Sequence, residues 1–366
     1  MRILFIGKRF YTNRDALQER YGRIHQLPLH WSQAGIPTNL WLIDYHTRVS
    51  AHRNDGTLEI RSTPAFSLKF PWQWLNHAIT RNTRPFDTVV ASGDCYIGHA
   101  AYLLARRLRA RFIFDVYDKY DEFPGYLAPP GIDLFTRLLD KADVRLFASK
   151  ALMNDLKRSP DDCLVPNGID EERFKCHDMH ASRKALGLPQ NRILVGYFGS
   201  ITEDRGVADL IEAGRILRTS GQPIEVILAG KKQHDLDTSM EGVTYLGNLP
   251  AEQVPMAMSC CNILALPYRR STYLDAASSC KIAEYLAMRK PIAATLTPNL
   301  ASNFPLQTQQ LRNLLATPGD PASIAHAIAR QLQSGTLADT PSGMTWREIS
   351  AATLEKMMHP SQQAPT

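Results

Sequence analysis

The sequence lacks several features that would define its class at once. No stretch approaches the roughly 18 consecutive apolar residues that a membrane-spanning helix needs. No run of about five or six charges of one sign occurs, so a nucleic-acid-binding tail is not expected. The first residues, MRILFIGKRF, lack the apolar core and cleavage site of a secretory signal. We therefore expect a cytoplasmic protein without nucleic-acid partners.

The six cysteines form no CxxC pair and no regular framework. Cys260 and Cys261 lie in an apolar stretch and are expected to be buried free thiols, which fits a reducing cytoplasm. Cys176, His177 and His180 lie close together, but no second ligand cluster follows at a suitable spacing. No GxGxxG motif follows the first strand, which argues against a nicotinamide-dependent dehydrogenase. We expect neither a metal nor a cofactor.

Apolar residues are plentiful enough for two ordinary cores. They make up 44% of the 366 residues, and this length corresponds to about two domains. Lysine and arginine total 42 against 36 aspartates and glutamates, which gives a formal net charge of +6. This mild excess favours anionic small molecules such as nucleotide phosphates, or an anionic membrane surface.

Short apolar runs alternate with amphipathic stretches, which is typical of βαβ units and a doubly wound parallel sheet. The strands predicted in the first half are 3–6, 38–43, 88–91, 112–116, 144–148 and 163–165. The pattern restarts in the second half, with strands predicted at 191–198, 224–229, 243–246, 262–266 and 292–294. We place the boundary near residue 180, after a charged, unpatterned stretch. Open α/β sheets bind ligands outside the carboxyl ends of their strands, so the loops there are the candidate sites.

Two of these loops combine glycine with basic residues. The first runs from Gly199 to Gly206, with Arg205 beside the expected helix start, where free backbone N–H groups suit a diphosphate. An ordinary turn with a solvated arginine is the alternative. The second loop contains Gly230 and Lys231, which suit a phosphate or are simply solvated.

A third segment combines a helix start with charged side chains. Ser278 or Ser279 is a natural N-cap, and Lys281 and Glu284 are neighbours three residues apart. Together they could hold a phosphate and a sugar diol, although an exposed ion pair has the same spacing. A fourth segment, 167–170 with the sequence NGID, is by itself only a turn.

In this order and spacing, the four segments resemble the GT-B glycosyltransferases, specifically the retaining family 4 with its group 1 C-terminal domain. The matching stretches are NGID followed by Phe174, the loop 199–206, the turn 246–249 and SSCKIAEYLAMRKPIAAT at 278–295. The resemblance implies an α/β GT-B fold, with two Rossmann-like doubly wound domains facing each other across a cleft. It implies an acceptor-binding domain over 1–180 and a nucleotide-sugar-binding domain over 181–342. A C-terminal helix at about 343–358 would pack back on the first domain.

The resemblance also implies an activity of the hexosyltransferase type. A sugar would pass from a UDP- or GDP-linked donor to an acceptor hydroxyl, with retained configuration and without a metal. The expected acceptor is a glycan or a lipid-linked molecule, in bacterial polysaccharide or glycoconjugate biosynthesis. The alternatives are an epimerase-like enzyme on the same scaffold and a catalytically idle sugar-nucleotide-binding protein.

The family pattern assigns roles to individual residues. Glu284 would hold the ribose hydroxyls, Arg205 and Lys281 the diphosphate, and Asp118 would join Glu284 and Arg205 as a catalytic residue. The full donor-binding set is Gly199, Ser200, Arg205, Lys231, Asn248, Leu249, Ser279, Lys281 and Glu284.

The sequence departs from the family pattern at two places on the donor side. Ser200 stands where the family often has arginine, and Arg205 where it often has lysine. The family's first acidic residue, eight positions before Glu284, falls on Ala276, with Asp275 adjacent. Either Asp275 would substitute for it, or backbone amides alone would hold the sugar.

The acceptor side is predicted on the first domain. Many relatives have histidine then aspartate at the strand end where this chain has Tyr117 and Asp118. Asp118 would orient the acceptor hydroxyl or the donor sugar, unless the acidic loop only caps a helix. The acceptor-side candidates are Lys8, Arg23, Asp94, His99, Tyr117 and Asp121. The segment 66–86 mixes aromatic with basic residues, which indicates core packing or, alternatively, peripheral contact with the inner face of the membrane.

Overall fold

The computed structural model describes residues 1–11, 14–65, 86–122, 126–127, 131–232 and 236–359. The chain divides into two compact units, Met1–Gly168 with Trp346–Thr366, and Ile169–Thr345. Residue 180, near which the sequence placed the boundary, lies inside the helix Met179–Ala185 of the second unit. The stretch that looked like a linker folds locally, because the Asp170 carbonyl accepts hydrogen bonds from the Arg173 and Phe174 backbone N–H groups.

The described strands of the first unit include an eight-stranded sheet. Its strands are β1 (Ile3–Lys8), β4 (Thr38–Asp44), β5 (Ala51–Asp55), β6 (Leu58–Pro64), β7 (Thr88–Ser92), β8 (Arg111–Val116), β9 (Val144–Phe147) and β10 (Cys163–Leu164). A separate small hairpin joins β2 (Phe10–Tyr11) to β3 (Arg14–Asp15). The strand order is β10-β9-β8-β7-β1-β4-β6-β5, and only β5 runs antiparallel to its neighbour. Strand order reverses at β1, so the loops after β1 and β7 flank the crevice where such sheets bind ligands.

Helices cover this sheet. They are α1 (Arg23–Gln33), α2 (Cys95–Leu108), α3 (Leu134–Lys141) and α4 (Lys150–Leu156), together with the last helix of the chain, α13 (Trp346–Met358). Short polar side chains cap α2, α3 and α4, namely Asp94, Asp133 and Ser149, and the Asp94 carboxylate accepts a 2.9 Å hydrogen bond from Ile97 N. Helix α13 packs on α1, and Trp31 Nε1 donates a 3.1 Å hydrogen bond to the Ser350 carbonyl.

In the described part of the second unit, a five-stranded sheet is entirely parallel. Its strands are β11 (Ile193–Phe198), β12 (Ile224–Ala229), β13 (Val243–Tyr245), β14 (Ile263–Leu266) and β15 (Ile292–Ala294), in the order β13-β12-β11-β14-β15. The helices are α5 (Met179–Ala185), α6 (Val207–Thr219), α7 (Val254–Ser259), α8 (Thr272–Ala276), α9 (Cys280–Ala287), α10 (Pro298–Asn303), α11 (Pro305–Gln310) and α12 (Pro321–Ser334). Strand order reverses at β11, so the loops after β11 and β14 flank the second crevice.

Both sheets confirm the predicted α/β class with two Rossmann-like units. The central parallel strands consist almost wholly of buried residues, as strands covered on both faces must; they are β1, β7, β8, β11, β12 and β14. Cys260 and Cys261 are buried free thiols, as predicted, and burial raises the pKa of Cys260 to about 11. Among the described helices, none is long and apolar enough to cross a membrane.

Candidate active site

The loop after β11 is built around a glycine. Gly199 has a φ of +149°, a conformation that favours glycine, and a Cβ there would overlap the Lys281 side chain. A Cβ at Gly230 would in turn overlap the Gly199 carbonyl. The two glycines therefore let three segments meet: the ends of β11 and β12, and the start of α9.

Arg205 follows on the same loop, in a short 3₁₀ turn, Glu203–Arg205. Gly206 ends that turn in the left-handed region and lies so close to the Pro267 carbonyl that a Cβ would overlap it. The Arg205 guanidinium lies 5.1 Å from the centroid of the Tyr268 ring, within cation–π range. Burial opposes its charge, but Tyr268 and other polar neighbours more than compensate and raise the pKa of Arg205. Arg205 is therefore a fixed cation at the edge of the second sheet where the parallel strands end.

Helix α9 is tied to both β11 and β14. Tyr285 Oη accepts a 2.7 Å hydrogen bond from Phe198 N, and burial raises the pKa of this phenol well above its usual value. Ser279 occupies the N-cap position, but its side chain makes no capping hydrogen bond. Its Oγ lies 3.0 Å from Tyr268 Oη instead. The predicted N-cap position is therefore confirmed at Ser279, but its hydroxyl bonds Tyr268 of the loop after β14 instead of a backbone N–H of the helix.

Lys281 and Glu284 lie on the first turns of α9. The Lys281 side chain passes over Gly199 and is half-buried. Glu284 is only 7% exposed, so the alternative of an exposed ion pair does not hold. A buried carboxylate thus lies one helical turn from a lysine, beside the end of β11.

The loops after β12 and β13 belong to the same edge. Gly230 N donates a 2.8 Å hydrogen bond to the Gly247 carbonyl, and Ile201 N donates one of 2.8 Å to the Lys231 carbonyl. Lys231 and Asn248 are exposed, and Leu249 is half-buried. All nine predicted donor-side residues therefore follow the carboxyl ends of β11, β12, β13 and β14.

Asp275 lies on α8. Its Oδ2 accepts a 2.8 Å hydrogen bond from Arg270 Nε. Its Oδ1 is buried and has no hydrogen-bond partner among the described residues. Asp275 thus keeps one unengaged oxygen, as a substitute for the family's first acidic residue would need.

Two acceptor-side predictions in the first unit are wrong. Arg23 is fully buried, with Nη2 2.6 Å from Asp115 Oδ1 and Nη1 2.9 Å from the Val165 carbonyl, so it has no surface to offer an acceptor. Tyr117 is buried as well, and its hydroxyl donates a 3.0 Å hydrogen bond to the Gly93 carbonyl. It is a core side chain that joins the ends of β7 and β8.

Three further acceptor-side candidates, His99, Asp118 and Asp121, do not form a common site in the described structure. His99 Nε2 lies 3.1 Å from the Leu134 carbonyl, which is a helix–helix contact. Asp118 is buried, and its Oδ1 accepts a 3.1 Å hydrogen bond from Lys119 N. Asp121 is exposed on the 3₁₀ turn Tyr120–Glu122.

Lys8 and Asp94, in contrast, lie together. They line a cavity of about 630 Å³ at the carboxyl ends of β1, β4 and β7. Tyr45 connects them, with its ring centroid 5.3 Å from Lys8 Nζ and its hydroxyl donating a 3.3 Å hydrogen bond to Asp94 Oδ1. Sequence reasoning missed Tyr45, although its position directly after β4 could have indicated it.

Solved structures share this fold at low sequence identity. The Anabaena Alr3699/HepE structure in complex with UDP-glucose matches with a TM-score of 0.65 and 15% identity, covering 98% of this chain and 99% of that one. Sucrose-phosphate synthase from Thermosynechococcus elongatus matches with a TM-score of 0.67 and 14% identity, covering 98% and 94%. These likenesses show the two-domain, Rossmann-like GT-B fold.

Sequence comparisons point to the same class. Residues 192–334 match the family model of glycosyl transferases group 1. This chain is a GT-B glycosyltransferase. A Bacillus subtilis (strain 168) protein named "Putative teichuronic acid biosynthesis glycosyltransferase TuaC" is 24% identical to it over 278 residues, which cover 74% of this chain and 68% of that protein.

One predicted feature of the glycosyltransferase, the aromatic and basic segment 66–86, lies almost wholly outside the described residues. Of the segment 66–86, only Phe86 is described; it is buried, with the Arg2 guanidinium 4.8 Å from its ring centroid. Membrane contact through 66–85 stays a prediction. In the described part of the glycosyltransferase, no three His, Cys, Asp or Glu side chains are grouped so as to hold a metal ion.

The residue of this glycosyltransferase that sequence reasoning missed most clearly is Arg269. Its guanidinium binds Asp209 through two hydrogen bonds of 2.7 Å, and its backbone N donates to the Asp204 carbonyl at 3.0 Å. Arg269 thereby joins the loop after β14 to the loop that carries Arg205. The available indication was an arginine three residues after the end of a strand, but the sequence does not show which carboxylate this arginine meets.

Proposed function

We propose that this glycosyltransferase moves a hexosyl group from a UDP-sugar to an acceptor hydroxyl, with retained configuration and without a metal. The observation that carries the proposal is the meeting of Gly199, Arg205 and the first turn of α9 at one sheet edge. Two cations and two helix N-termini at that edge suit a diphosphate. The UDP-glucose complex of the HepE structure favours uridine over guanosine in the donor.

The leaving group determines what such a site must stabilise. Negative charge grows on the diphosphate as the glycosidic bond breaks, and fixed cations lower the free energy of that state. Arg205 and Lys281 would take this role. Lys231 would add a further, more exposed charge. The cations would thus perform the stabilisation for which other transferases use a metal ion.

Glu284 would bind the ribose hydroxyls. A buried carboxylate accepts hydrogen bonds from two adjacent hydroxyls and, unlike an exposed one, meets little competition from water. Asn248 and Leu249 would contact the base, and Ser200 and Ser279 the phosphates. Asp118 would orient the acceptor hydroxyl or the donor sugar as the third catalytic residue.

The acceptor would be a glycan or a lipid-linked molecule in bacterial polysaccharide or glycoconjugate assembly. The name of the TuaC relative, which refers to teichuronic acid biosynthesis, supports this role. A cytoplasmic location, with peripheral contact to the inner face of the membrane, would suit such an acceptor. The family match favours the transferase over the epimerase-like alternative and over the idle binding protein.

A thermal-shift panel with UDP-, GDP- and ADP-sugars tests the donor assignment, because a bound donor raises the unfolding temperature by mass action. We expect UDP-sugars to stabilise the native chain and Glu284→Gln or Lys281→Ala to remove most of that shift. Glu241→Gln and Lys184→Ala, at exposed positions of the same unit, are the matched controls. Stabilisation by a GDP-sugar alone would overturn the uridine assignment, and an undiminished shift in Glu284→Gln would overturn the site.

Product analysis tests the chemistry. NMR of the purified product should show the same anomeric configuration as the donor, and transfer should persist in excess EDTA. An inverted product would contradict the retaining mechanism. Donor binding without transfer or hydrolysis, across a broad acceptor panel, would favour the idle binding protein.

A further inference from the structure

We propose that the cavity at the switch point of the first sheet binds the apolar chain of an amphiphilic acceptor whose anionic group, a phosphate ester, lies against Lys8. The inference rests on the proposed function in one respect, namely that the bound molecule is a glycosyl acceptor. It identifies the acceptor's chemical class and the side chains that select it, most of which sequence reasoning did not identify.

The walls of the cavity are mainly apolar. Its volume of about 630 Å³ is within the roughly 300–1,000 Å³ typical of small-molecule sites. The apolar walls come from the ends of β1 and β4, the first turns of α2 and two loop residues: Ile6, Ile43, Ala65, Ile97, Ala100 and Leu127. A cavity with such walls gains free energy by removing apolar ligand surface from water.

The polar groups of the cavity are few and mostly engaged with one another. Asp94 Oδ1 accepts hydrogen bonds from Ile97 N and from the Tyr45 hydroxyl. Burial raises the pKa of Tyr45, so the phenol stays neutral. A free sugar would bury many hydroxyls here, and each one left unpaired costs about 1–3 kcal/mol. The walls therefore select an apolar group rather than a glycan.

Lys8 is the cationic group of the cavity. Its ammonium lies 5.3 Å from the centroid of the Tyr45 ring, and no ion pair of Lys8 occurs among the described residues. An ammonium beside apolar walls attracts an anion more strongly than one in bulk water, because the effective dielectric constant is lower. An anionic group attached to the apolar chain therefore complements the cavity better than a neutral alcohol does.

The apolar surface continues out of the cavity. Tyr96, Ala100 and Leu103 share one face of α2, since they are spaced by four and three residues. Leu103 is 66% exposed and Leu127 is 76% exposed. Tyr96 Oη donates a 2.6 Å hydrogen bond to the Leu127 carbonyl, which fixes this rim. The rim gives a chain longer than the cavity an apolar surface along which to leave it.

Two exposed arginines at the C-terminal end of α2 also favour an anionic amphiphile as the ligand. Arg107 follows Leu103 by four residues, on the same face, and both Arg106 and Arg107 are exposed. An apolar strip that ends in arginines is typical of surfaces that meet anionic amphiphiles. The charge of the rim and the charge inside the cavity therefore favour the same class of ligand.

Binding of n-octyl phosphate to the full chain tests the proposal, with n-octanol and inorganic phosphate as the two partial probes. All five tryptophans fall within the residue ranges of the first unit, so tryptophan fluorescence follows the unfolding of that unit. We expect octyl phosphate to raise the unfolding midpoint more than either partial probe. Lys8→Met should weaken the binding of octyl phosphate at least tenfold and leave the binding of octanol unchanged. Ala100→Phe, which fills the cavity, should weaken the binding of both.

Exposed positions of the same unit supply the controls. Lys150→Met and Ala352→Phe, the latter on the exposed face of α13, should leave octyl phosphate binding unchanged. Equal binding in Lys8→Met, or stabilisation of the first unit by free glucose instead of octyl phosphate, would overturn the proposal. UDP-sugar binding without octyl phosphate binding would overturn this inference and leave the proposed function intact. Octyl phosphate binding without any nucleotide-sugar binding would overturn the acceptor role.

Discussion

Arg269 holds Asp209 through two parallel contacts, from Nε to Oδ2 and from Nη2 to Oδ1, each 2.7 Å long. Asp209 is in the first turn of α6, directly after the loop that carries Arg205. The Asp209 carboxylate is buried, so the loss of Arg269 should cost more stability than the loss of one partner of an exposed ion pair. Arg269 thus fixes the position of Arg205 without itself belonging to the predicted donor set.

Replacing Arg269 should therefore weaken donor binding indirectly. We expect Arg269→Ala to raise the Kd for UDP about tenfold and to lower stability by about 1–3 kcal/mol, because a buried carboxylate loses its partner. Arg269→Lys should recover part of the stability but not the affinity, since lysine cannot form both contacts. Calorimetric titration and urea unfolding measure the two effects. Arg215→Ala, which breaks an exposed pair with Glu212, should change neither quantity. Unchanged UDP affinity in Arg269→Ala would contradict the positioning role.

Gly199 permits the approach of Lys281 and should not tolerate a side chain. In Gly199→Ala, the new methyl group would displace the lysine, so we expect UDP affinity to fall about tenfold or more while the unit stays folded. Gly319→Ala is the matched control, because Gly319 also has a positive φ, of +76°, but no atom within 4 Å of a Cβ. Both variants carry backbone strain, and only the first meets Lys281. Equal UDP affinity in the two variants would show that Lys281 does not contact the donor.

The sequence predicted the parallel strands because each is a short, nearly continuous apolar run. It did not reveal β5 or β6, since strands near a sheet edge alternate buried and partly exposed residues and include charged ones such as Arg53 and Arg61. The donor-side loops were predictable because each follows a strand directly. Their placement at one edge follows from the parallel order of those strands.

Partners far apart in sequence were not predictable. Arg23 looked like a surface cation, but it meets Asp115, 92 positions away. Tyr117 looked like a substitute for the histidine that many relatives have at this strand end, but it packs against Tyr11 and donates a hydrogen bond to the Gly93 carbonyl. Apolar periodicity indicates which elements pack together and gives no information on which charges become buried between them.

The Arg23–Asp115 pair gives a stability prediction for the first unit. Both side chains are fully buried, and Ser92 Oγ also donates a 2.6 Å hydrogen bond to Asp115 Oδ2. Arg23→Met should lower the free energy of unfolding by about 3–5 kcal/mol, because the Asp115 carboxylate would remain buried without its cation. Arg158→Met, which removes a more exposed pair with Asp140, should cost less than about 1 kcal/mol. Urea unfolding followed by tryptophan fluorescence measures both costs, and equal values would refute the argument.

His25 should make the first unit sensitive to acid. It is fully buried in α1, with Nε2 3.3 Å from Asp55 Oδ2. Burial lowers the pKa of His25 from 6.5 to about 4, helped by Arg20 and Arg53 and opposed by Asp55. Between these two pH values the unfolded chain binds a proton at this residue that the folded unit does not bind. The stability of the unit should therefore fall as the pH falls from 6.5 to 4, by up to about 3 kcal/mol from this residue alone.

Unfolding at a series of pH values separates this effect from that of the carboxylates. His25→Gln removes the titrating ring, so its free energy of unfolding should fall less steeply than that of the unmutated chain between pH 6.5 and 4. Well above pH 6.5 the two curves should run parallel, whatever their offset, because the ring is then neutral in both the folded and the unfolded state. His52→Gln, at an exposed position of β5, should retain the full slope. Since the tryptophans report on the first unit alone, an identical slope in His25→Gln would mean that His25 is protonated as readily in the folded unit as in the unfolded chain.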